Sequence, residues 1–150
     1  MKLSIIVPVY NLENYIATTL ESLLSIRFSF DYEIIVINDG SVDGSESIIH
    51  DYQKKYGQIT LYFIEHQGVS IARNIGLSKA RGDYIIFVDG DDTVEPDFFE
   101  KAIQELDEGG YDFVQGNHRR IDGYNISYDQ FVSKDMVITE KDIMHEKLFV

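Results

Sequence analysis

Three carboxylates crowd the end of a short apolar run, Tyr84-Ile85-Ile86-Phe87-Val88-Asp89-Gly90-Asp91-Asp92. Asp89, Asp91 and Asp92 on one bend repel each other unless a cation neutralises them. Hard oxygen ligands suit magnesium or manganese, and such ions usually arrive with substrate phosphates. Two other apolar runs end in side chains able to meet such a ligand: Leu3 to Val9 leads into Tyr10, and Glu33 to Asn38 leads into Asp39. Together these residues suit a nucleotide. Tyr10 offers a ring to stack on a base, Asp39 an acceptor for a base N–H, and Asp89 an acceptor for a ribose hydroxyl. Asp91 can ligate a divalent ion that bridges two phosphates, and Arg73 can add a fixed positive charge beside them. Each residue also has a plainer role open to it. Asp39 can be a turn former in Asp-Gly-Ser, Tyr10 a cover on a sheet edge, and Arg73 a solvated helix residue or a partner for surplus acids.

These side chains meet only if the chain brings the ends of its strands to one rim. The pattern predicts that it does. Leu3 to Tyr10 is β-branched and closes on Pro8 as a strand. A helix follows, capped by Asn11 or Asn14, with Tyr15, Ile16, Leu20, Leu23 and Leu24 on one face. Glu33 to Asp39 is a second buried strand. Asp43 with Glu46 three residues later resembles a capping box, and that helix should run to about Tyr56. Ile59 to Ile64 alternates as a third strand, and Ser70 to Arg81 is a short helix ended by Gly82. Tyr84 to Val88 is a fourth strand, apolar enough to be buried on both faces. Glu95 or Pro96 opens a helix that closes at Gly109-Gly110. Tyr111 to Gly116 is a fifth strand, and His118 to Lys134 is loop or irregular strand. Strand–helix alternation predicts an α/β fold, a mostly parallel sheet flanked by helices on both faces. Ligands bind such sheets beyond the C-terminal ends of the strands.

The 150 residues are 44% hydrophobic, enough for one domain with a substantial core. Thirteen basic against 26 acidic residues give a formal net charge of −13. Such a surface repels nucleic acid and anionic lipid, so neither is expected as a main partner. There is no cysteine, hence no disulfide or thiolate chemistry. The first residues are too weakly apolar for a signal peptide, and no run is long enough to span a membrane. A cytoplasmic protein, or a cytoplasmic part of one, is the expectation. Thr139 to Val150 reads as a helix cut mid-pattern, so a longer chain is expected.

Three rivals compete for the acidic cluster. Asp89, Asp91, Thr93, Glu95, Asp97 and Glu100 match the ligand positions of an EF-hand loop by letter. Val94 stands where that loop needs Gly, Pro96 follows, and a strand precedes it, so the mechanics fail. Asp89-Gly90-Asp91-Asp92-Thr93 fits the Asp-x-Asp-x-Thr nucleophile motif of haloacid-dehalogenase-type phosphatases. That motif normally ends a first strand, whereas here three strand–helix units precede it. A solvated acidic turn without function fits poorly with so apolar a strand.

Four linked stretches resemble the donor-binding part of a family 2 inverting glycosyltransferase with the GT-A fold, over roughly Lys2 to Asn117. They are Ser4-Ile5-Ile6-Val7-Pro8-Val9-Tyr10-Asn11, Glu33 to Ser41 with Asp43-Gly44-Ser45, Gly68 to Leu77 with its Ala72-Arg73-Asn74, and Gly82 to Asp92. The resemblance implies a nucleotide-diphospho-sugar transferase-like, Rossmann-type core over 1–117, with the start of an acceptor-side region over 118–150. It implies a nucleotide-sugar donor, most often a UDP-sugar, and inverting transfer to the hydroxyl of a carbohydrate or lipid-linked acceptor. It places Pro8 and Val9 along the base pocket through their backbone, Tyr10 and Asp39 on the base, and Arg73 near the nucleotide. Asp89-Gly90-Asp91 becomes the Asp-x-Asp motif, with Asp91 the principal ligand of Mn2+ or Mg2+ and Asp89 facing ribose or metal. Gly90 should make that loop flexible.

The same resemblance places the general base on an Asp or Glu well downstream, often in a Glu-Asp pair. No such pair follows Asp92; Asp112, Asp122, Asp129, Asp135, Glu140 and Asp142 qualify by type only. The base is therefore expected beyond Val150, and the chain alone can bind donor and metal yet transfer nothing. Ser25 to Tyr32 lacks the family's usual Gln and is rich in aromatics, a packing variation. His118-Arg119-Arg120 either faces the sugar or is a plain basic patch. The implied setting is bacterial cell-surface polysaccharide synthesis, at the inner face of the membrane or in the cytoplasm, with a homodimer left open. A non-catalytic nucleotide-binding module of the same fold is the alternative, and a metal-dependent phosphatase a more distant one.

Overall fold

Every residue of the first strand is buried, a pattern that requires partners on both edges and cover on both faces. The computed structural model describes residues 1–109 and the strand segments 118–122 and 125–129. In chain order the elements are β1 Leu3–Val9, α1 Ile16–Ser25, β2 Tyr32–Asp39, α2 Ser45–Lys55, β3 Ile59–Ile64, α3 Val69–Lys79, β4 Tyr84–Phe87, α4 Pro96–Gly109, β5 His118–Asp122 and β6 Asn125–Asp129. β1 pairs in parallel with β2 on one edge and β4 on the other, and β2 pairs in parallel with β3. The order is β3-β2-β1-β4. The chain thus steps outward from β1 to β3, then returns to the far side of β1. The gap between the C-terminal ends of β1 and β4 is a topological switch point, the place where open α/β sheets bind ligands.

The helices follow that reversal. Leu3, Ile5, Val7 and Val9 alternate with Ser4 and Ile6 along β1, so each set faces one layer. The first set packs with Ile34 and Val36 of β2 against Ile16, Leu20 and Leu23 of α1, Ile49 of α2 and Phe99 and Ile103 of α4. On the other face, Ile35 and Ile37 pack against Ala72 of α3. An ideal Cβ built at Gly76 would collide with Ile6, so α3 lies close against the sheet only because that position is glycine. The aromatic residues of the α1–β2 connection pack as expected: Phe28 meets Phe30, Tyr32 and Phe99 at ring centroid distances of 5.1, 4.5 and 5.7 Å.

At the opposite, N-terminal rim, a buried carboxylate ties three segments together. Glu33 accepts hydrogen bonds from Ser4 Oγ at 2.7 Å, Arg81 N–H at 2.9 Å, and Arg81 Nε and Nη2 at 3.0 and 2.6 Å. Burial pushes its carboxyl up, yet the hydrogen bonds from Arg81 and Ser4 and the guanidinium charge outweigh burial and hold it below the usual glutamate value.

Several local expectations change. β4 is less covered than its sequence implied: Ile85 is 36% exposed, and among the described residues β4 pairs with β1 alone. Neither helix cap forms as expected. Neither N-cap residue, Tyr15 of α1 or Gly44 of α2, makes a side-chain cap bond; Asn11 faces the loop after β2, and Asp43, one residue before the α2 cap, divides its carboxylate between Ser45 N–H at the start of its own helix and Glu13 N–H across the loops. α3 ends at Lys79, where Ala80 is already extended. β5 and β6 form a regular antiparallel hairpin with Ile121 opposite Ile126. These are the two aliphatic residues among its ten, too few to set a period-two signal in the sequence. The expected strand over 111–116 and helix over 139–150 lie outside the described residues. The chain divides into two units, Met1–Gln104 and Glu105–Val150, and the boundary expected after Asn117 falls inside the second. Among the described residues no helix is long and apolar enough to cross a membrane.

Candidate functional site

Parallel strands deliver Tyr10, Asp39 and the Asp89–Asp92 turn to one rim. Asp39 is the last residue of β2, and its side chain is 3% exposed. The strand's alternation turns it toward the α3 layer, where it meets the segment leading into that helix. Its Oδ1 accepts from Gln67 N–H at 2.8 Å and its Oδ2 from Gly68 N–H at 2.9 Å. Gly68 has φ +93°, a conformation that favours glycine and lets the chain turn onto the carboxylate. His66 Nδ1 lies 2.9 Å from the same Oδ2. Asp39 therefore has a structural task as well as the acceptor role expected of it. A carboxylate has about four lone-pair sites, so further acceptance is open to it.

Tyr10 projects from the end of β1 and stacks on His66, with ring centroids 3.9 Å apart and planes 16° from parallel. Pro8 and Val9 are buried within β1, so a ligand would meet them, if at all, through backbone atoms. His66 is the residue that sequence reasoning missed. A lone histidine just past a strand carries no local signal; only the three-dimensional meeting with Tyr10 and Asp39 singles it out.

The loop bearing Tyr10 is braced against the loop after Asp39. Asn11 adopts φ +54°. Its N–H donates to Ser41 Oγ at 3.0 Å, and its Oδ1 accepts from Val42 N–H at 2.8 Å. Leu12 N–H donates to Ser45 Oγ at 2.8 Å, Glu13 N–H to Asp43 Oδ2 at 3.0 Å, and Gly44 N–H to Glu13 Oε2 at 2.7 Å. Burial pushes the Asp43 carboxyl up, but the hydrogen bonds from Ser45 and Glu13 outweigh it and hold the group below the usual aspartate range. Five inter-loop bonds from backbone donors fix the spacing of the two strand ends that carry Tyr10 and Asp39.

At the other side of β1, Asp92 N–H closes a turn onto Asp89 O at 3.0 Å, with Gly90 and Asp91 at its centre. Arg73, on α3, donates from Nη2 to Asp89 Oδ1 at 2.6 Å, while its guanidinium lies 5.8 Å from the Phe87 ring centre. Arg73 Nε is buried and has no hydrogen-bond partner, so its donor capacity is not exhausted. Gly90 is not the flexible link expected of it. It is buried, its carbonyl accepts from Thr19 Oγ1 at 2.9 Å, and an added Cβ would sit 2.9 Å from Pro8 O and 2.8 Å from Leu12 Cδ1. Glycine is needed there for close approach, and the turn is anchored to β1 and α1.

Asp91 is exposed at the tip of this turn, beside a half-exposed Asp89. Among the described residues no group of three or more His, Asp or Glu gathers into a ready-made metal cage. Magnesium and manganese seldom need one, because one or two carboxylates plus substrate phosphates usually suffice. The donor set of Asp89 and Asp91 fits that mode of binding. Two open grooves elsewhere, one along α2 (Asp43, Glu46, His50) and one by Glu33, Tyr62 and Lys79, are not lined by Tyr10, Asp39, Arg73, Asp89 or Asp91.

A parallel sheet reversing beside β1, with acidic and aromatic residues at the switch point, defines a GT-A-type, Rossmann-like α/β domain. The chain belongs to glycosyl transferase family 2, whose family model matches residues 4–145. It is 38% identical to the glycosyltransferase GlyA of Streptococcus pneumoniae over 117 residues, which cover 78% of this chain and 17% of that protein. It is 44% identical to EpsJ of Bacillus subtilis, an uncharacterized glycosyltransferase, over 111 residues, covering 74% of this chain and 32% of the relative. The chain thus spans a third or less of the length of these relatives. Structures of residues 1–349 of TarS from S. aureus, solved with UDP and with UDP-GlcNAc, superpose with a TM-score of 0.69 at 34% identity. They cover 75% of this chain, which spans 34% and 33% of theirs.

Proposed function

We propose that this chain forms the donor side of a metal-dependent inverting glycosyltransferase that takes a nucleotide-diphosphate sugar, a UDP-sugar in the first instance. The observation that carries the proposal is the placing of two groups at one rim of the parallel sheet, Tyr10 with Asp39 at the ends of β1 and β2, and Arg73 with the Asp89–Asp92 turn beside β4. The likeness to TarS, itself solved with UDP and UDP-GlcNAc, favours uracil as the base. Tyr10 and Asp39 hold the base, with the backbone of Pro8, Val9 and Gly90 along its edge. Asp89 meets the ribose or shares the metal. Asp91 holds Mn2+ or Mg2+, which when bound acts as a Lewis acid on the departing diphosphate and supplies on the order of several kcal/mol. Arg73 adds a second, permanent positive charge toward that diphosphate. Inverting transfer also needs a general base on the opposite face of the sugar; none of the described residues takes that role in the proposal. The acceptor is a carbohydrate or lipid-linked hydroxyl, in the setting of bacterial cell-surface polysaccharide.

Calorimetric titration of UDP with Mn2+, then with EDTA, into the chain and its Asp91→Ala variant tests this. Each lost metal or base contact should cost about 1–3 kcal/mol, roughly ten- to a hundredfold in affinity. UDP affinity that ignores both EDTA and Asp91→Ala would refute the metal role. Absence of binding to UDP, GDP and dTDP alike would refute the donor site.

A further inference from the structure

We propose that His66 is a displaceable plug at the nucleobase end of the site, seated on the two groups a base would use. The inference rests on the donor-site proposal above. A base needs a flat face and an acceptor, and His66 engages both. Its ring lies 3.9 Å from that of Tyr10, centre to centre and within 16° of parallel, which leaves no room for a third ring between them. Its Nδ1 is 2.9 Å from Asp39 Oδ2 and 3.2 Å from Asp39 O. With its proton on Nδ1, the imidazole presents a ring face and a ring N–H donor, the same pair that a uracil-like base presents. A nucleobase on that face and that oxygen cannot coexist with the imidazole, so one must leave.

The backbone around His66 is fixed, while its side chain is free to go. Gly40 has φ +69°, and an added Cβ there would sit 2.9 Å from His66 N, so the two loops touch through backbone. Gln67 and Gly68 N–H hold Asp39 independently of the imidazole. The His66 side chain is 51% exposed and needs only rotation about its own bonds to reach solvent. Departure would uncover one face of Tyr10 and free a lone pair of Asp39 without moving the loop. The plug then weakens binding through the fraction of molecules in which it is open: a seat favoured ten to one lowers apparent affinity about tenfold.

The test is calorimetric titration of UDP with Mn2+ into the wild-type chain, His66→Ala and His66→Phe at one pH, each variant checked for a cooperative thermal melt. His66→Ala should bind UDP roughly tenfold more tightly. His66→Phe, which keeps a ring on Tyr10 but loses the Nδ1 donor, should fall between the two, and it decides the matter if the alanine variant does not fold. Affinity unchanged or weakened in the variants, with the wild type binding, would overturn the plug and make the imidazole a bystander or a wall of the site. A wild type that binds no nucleotide would overturn the donor site itself, and the plug with it.

Discussion

Replacing Gly90 by alanine separates a packed turn from a flexible one, because the two predict opposite signs. In a flexible loop, Gly→Ala trims the freedom of the unfolded chain and stabilises by about 0.4–1 kcal/mol. In the structure, the new Cβ would lie 2.9 Å from Pro8 O, 2.8 Å from Leu12 Cδ1 and 3.2 Å from Val9 Cγ2. The leucine methyl can swing aside, but the Pro8 carbonyl cannot easily, since Pro8 is buried within β1 and held in register with Ile37 of β2. The turn must therefore retreat by some tenths of an ångström, straining the 2.9 Å bond from Thr19 Oγ1 to Gly90 O. Overpacking of this kind costs about 1–3 kcal/mol. At about 2–4 °C per kcal/mol for a chain of this size, the melting temperature should fall by roughly 2–12 °C. Since Asp89 and Asp91 flank the moved residue, Mn2+-dependent UDP affinity should fall too, about tenfold for a displacement worth one contact. Differential scanning calorimetry and UDP titration on the one variant give both readouts. A melting temperature that rises, with UDP affinity unchanged, would refute the packed-turn argument.

Glu33→Ala should destabilise the chain by about 1–3 kcal/mol in urea unfolding at pH 7, because Ser4 Oγ loses its buried acceptor at 2.7 Å. The Glu33 carboxyl is held below its usual value, so its contribution is complete above the ordinary glutamate range, about 4.3. It is lost as pH falls through the lowered value, so the gap between wild type and Glu33→Gln should narrow on acidification; a gap that widens would contradict the sign. Gly76→Ala should push α3 from Ile6 at a cost of about 1–3 kcal/mol, with UDP affinity reduced through Arg73 three residues earlier on the same helix. A Gly76→Ala variant as stable as wild type would show that α3 is not seated by that contact.

What the sequence made legible was whatever depended on near neighbours. Apolar runs such as Ile34-Ile35-Val36-Ile37 announced buried parallel strands, and strand–helix alternation announced where their ends would gather. The rim positions of Tyr10, Asp39 and Asp89 followed from that alone. What stayed hidden depended on partners far along the chain. Asn11 looks like a helix cap because capping is a local rule, yet its side-chain partner lies about thirty residues away; Asp43 does hold Ser45 N–H nearby, but its second oxygen reaches Glu13, also about thirty residues away. Gly90 looks like a hinge because glycine is permissive, yet the reason for it is Pro8 O, on a strand more than eighty residues earlier. His66 shows no pattern at all. The paired strands His118–Asp122 and Asn125–Asp129 escaped because Ile121 and Ile126 are their only aliphatic residues.

The proposed site is arranged so that each expensive group has a provisional partner. Asp89 is half exposed and already faces a guanidinium at 2.6 Å. Asp39, almost wholly buried, would be costly as an uncompensated charge, and two backbone N–H groups and an imidazole meet it. On the donor-site proposal, binding becomes an exchange: the base takes the place of His66 on Tyr10 and Asp39, and a metal with its diphosphate shares the charges now shared by Arg73 and Asp89. An exchange costs less than exposing or burying bare charge, because Asp39 keeps the Gln67 and Gly68 N–H bonds whichever ring is seated. The two exchanges occur on opposite sides of β1, and Gly90 joins them by packing its turn onto Pro8, two residues before Tyr10. On that proposal, a movement of the Asp89–Asp92 turn reaches Tyr10 through the buried end of β1, where Pro8 and Val9 are paired with Ile37 and Asn38 of β2.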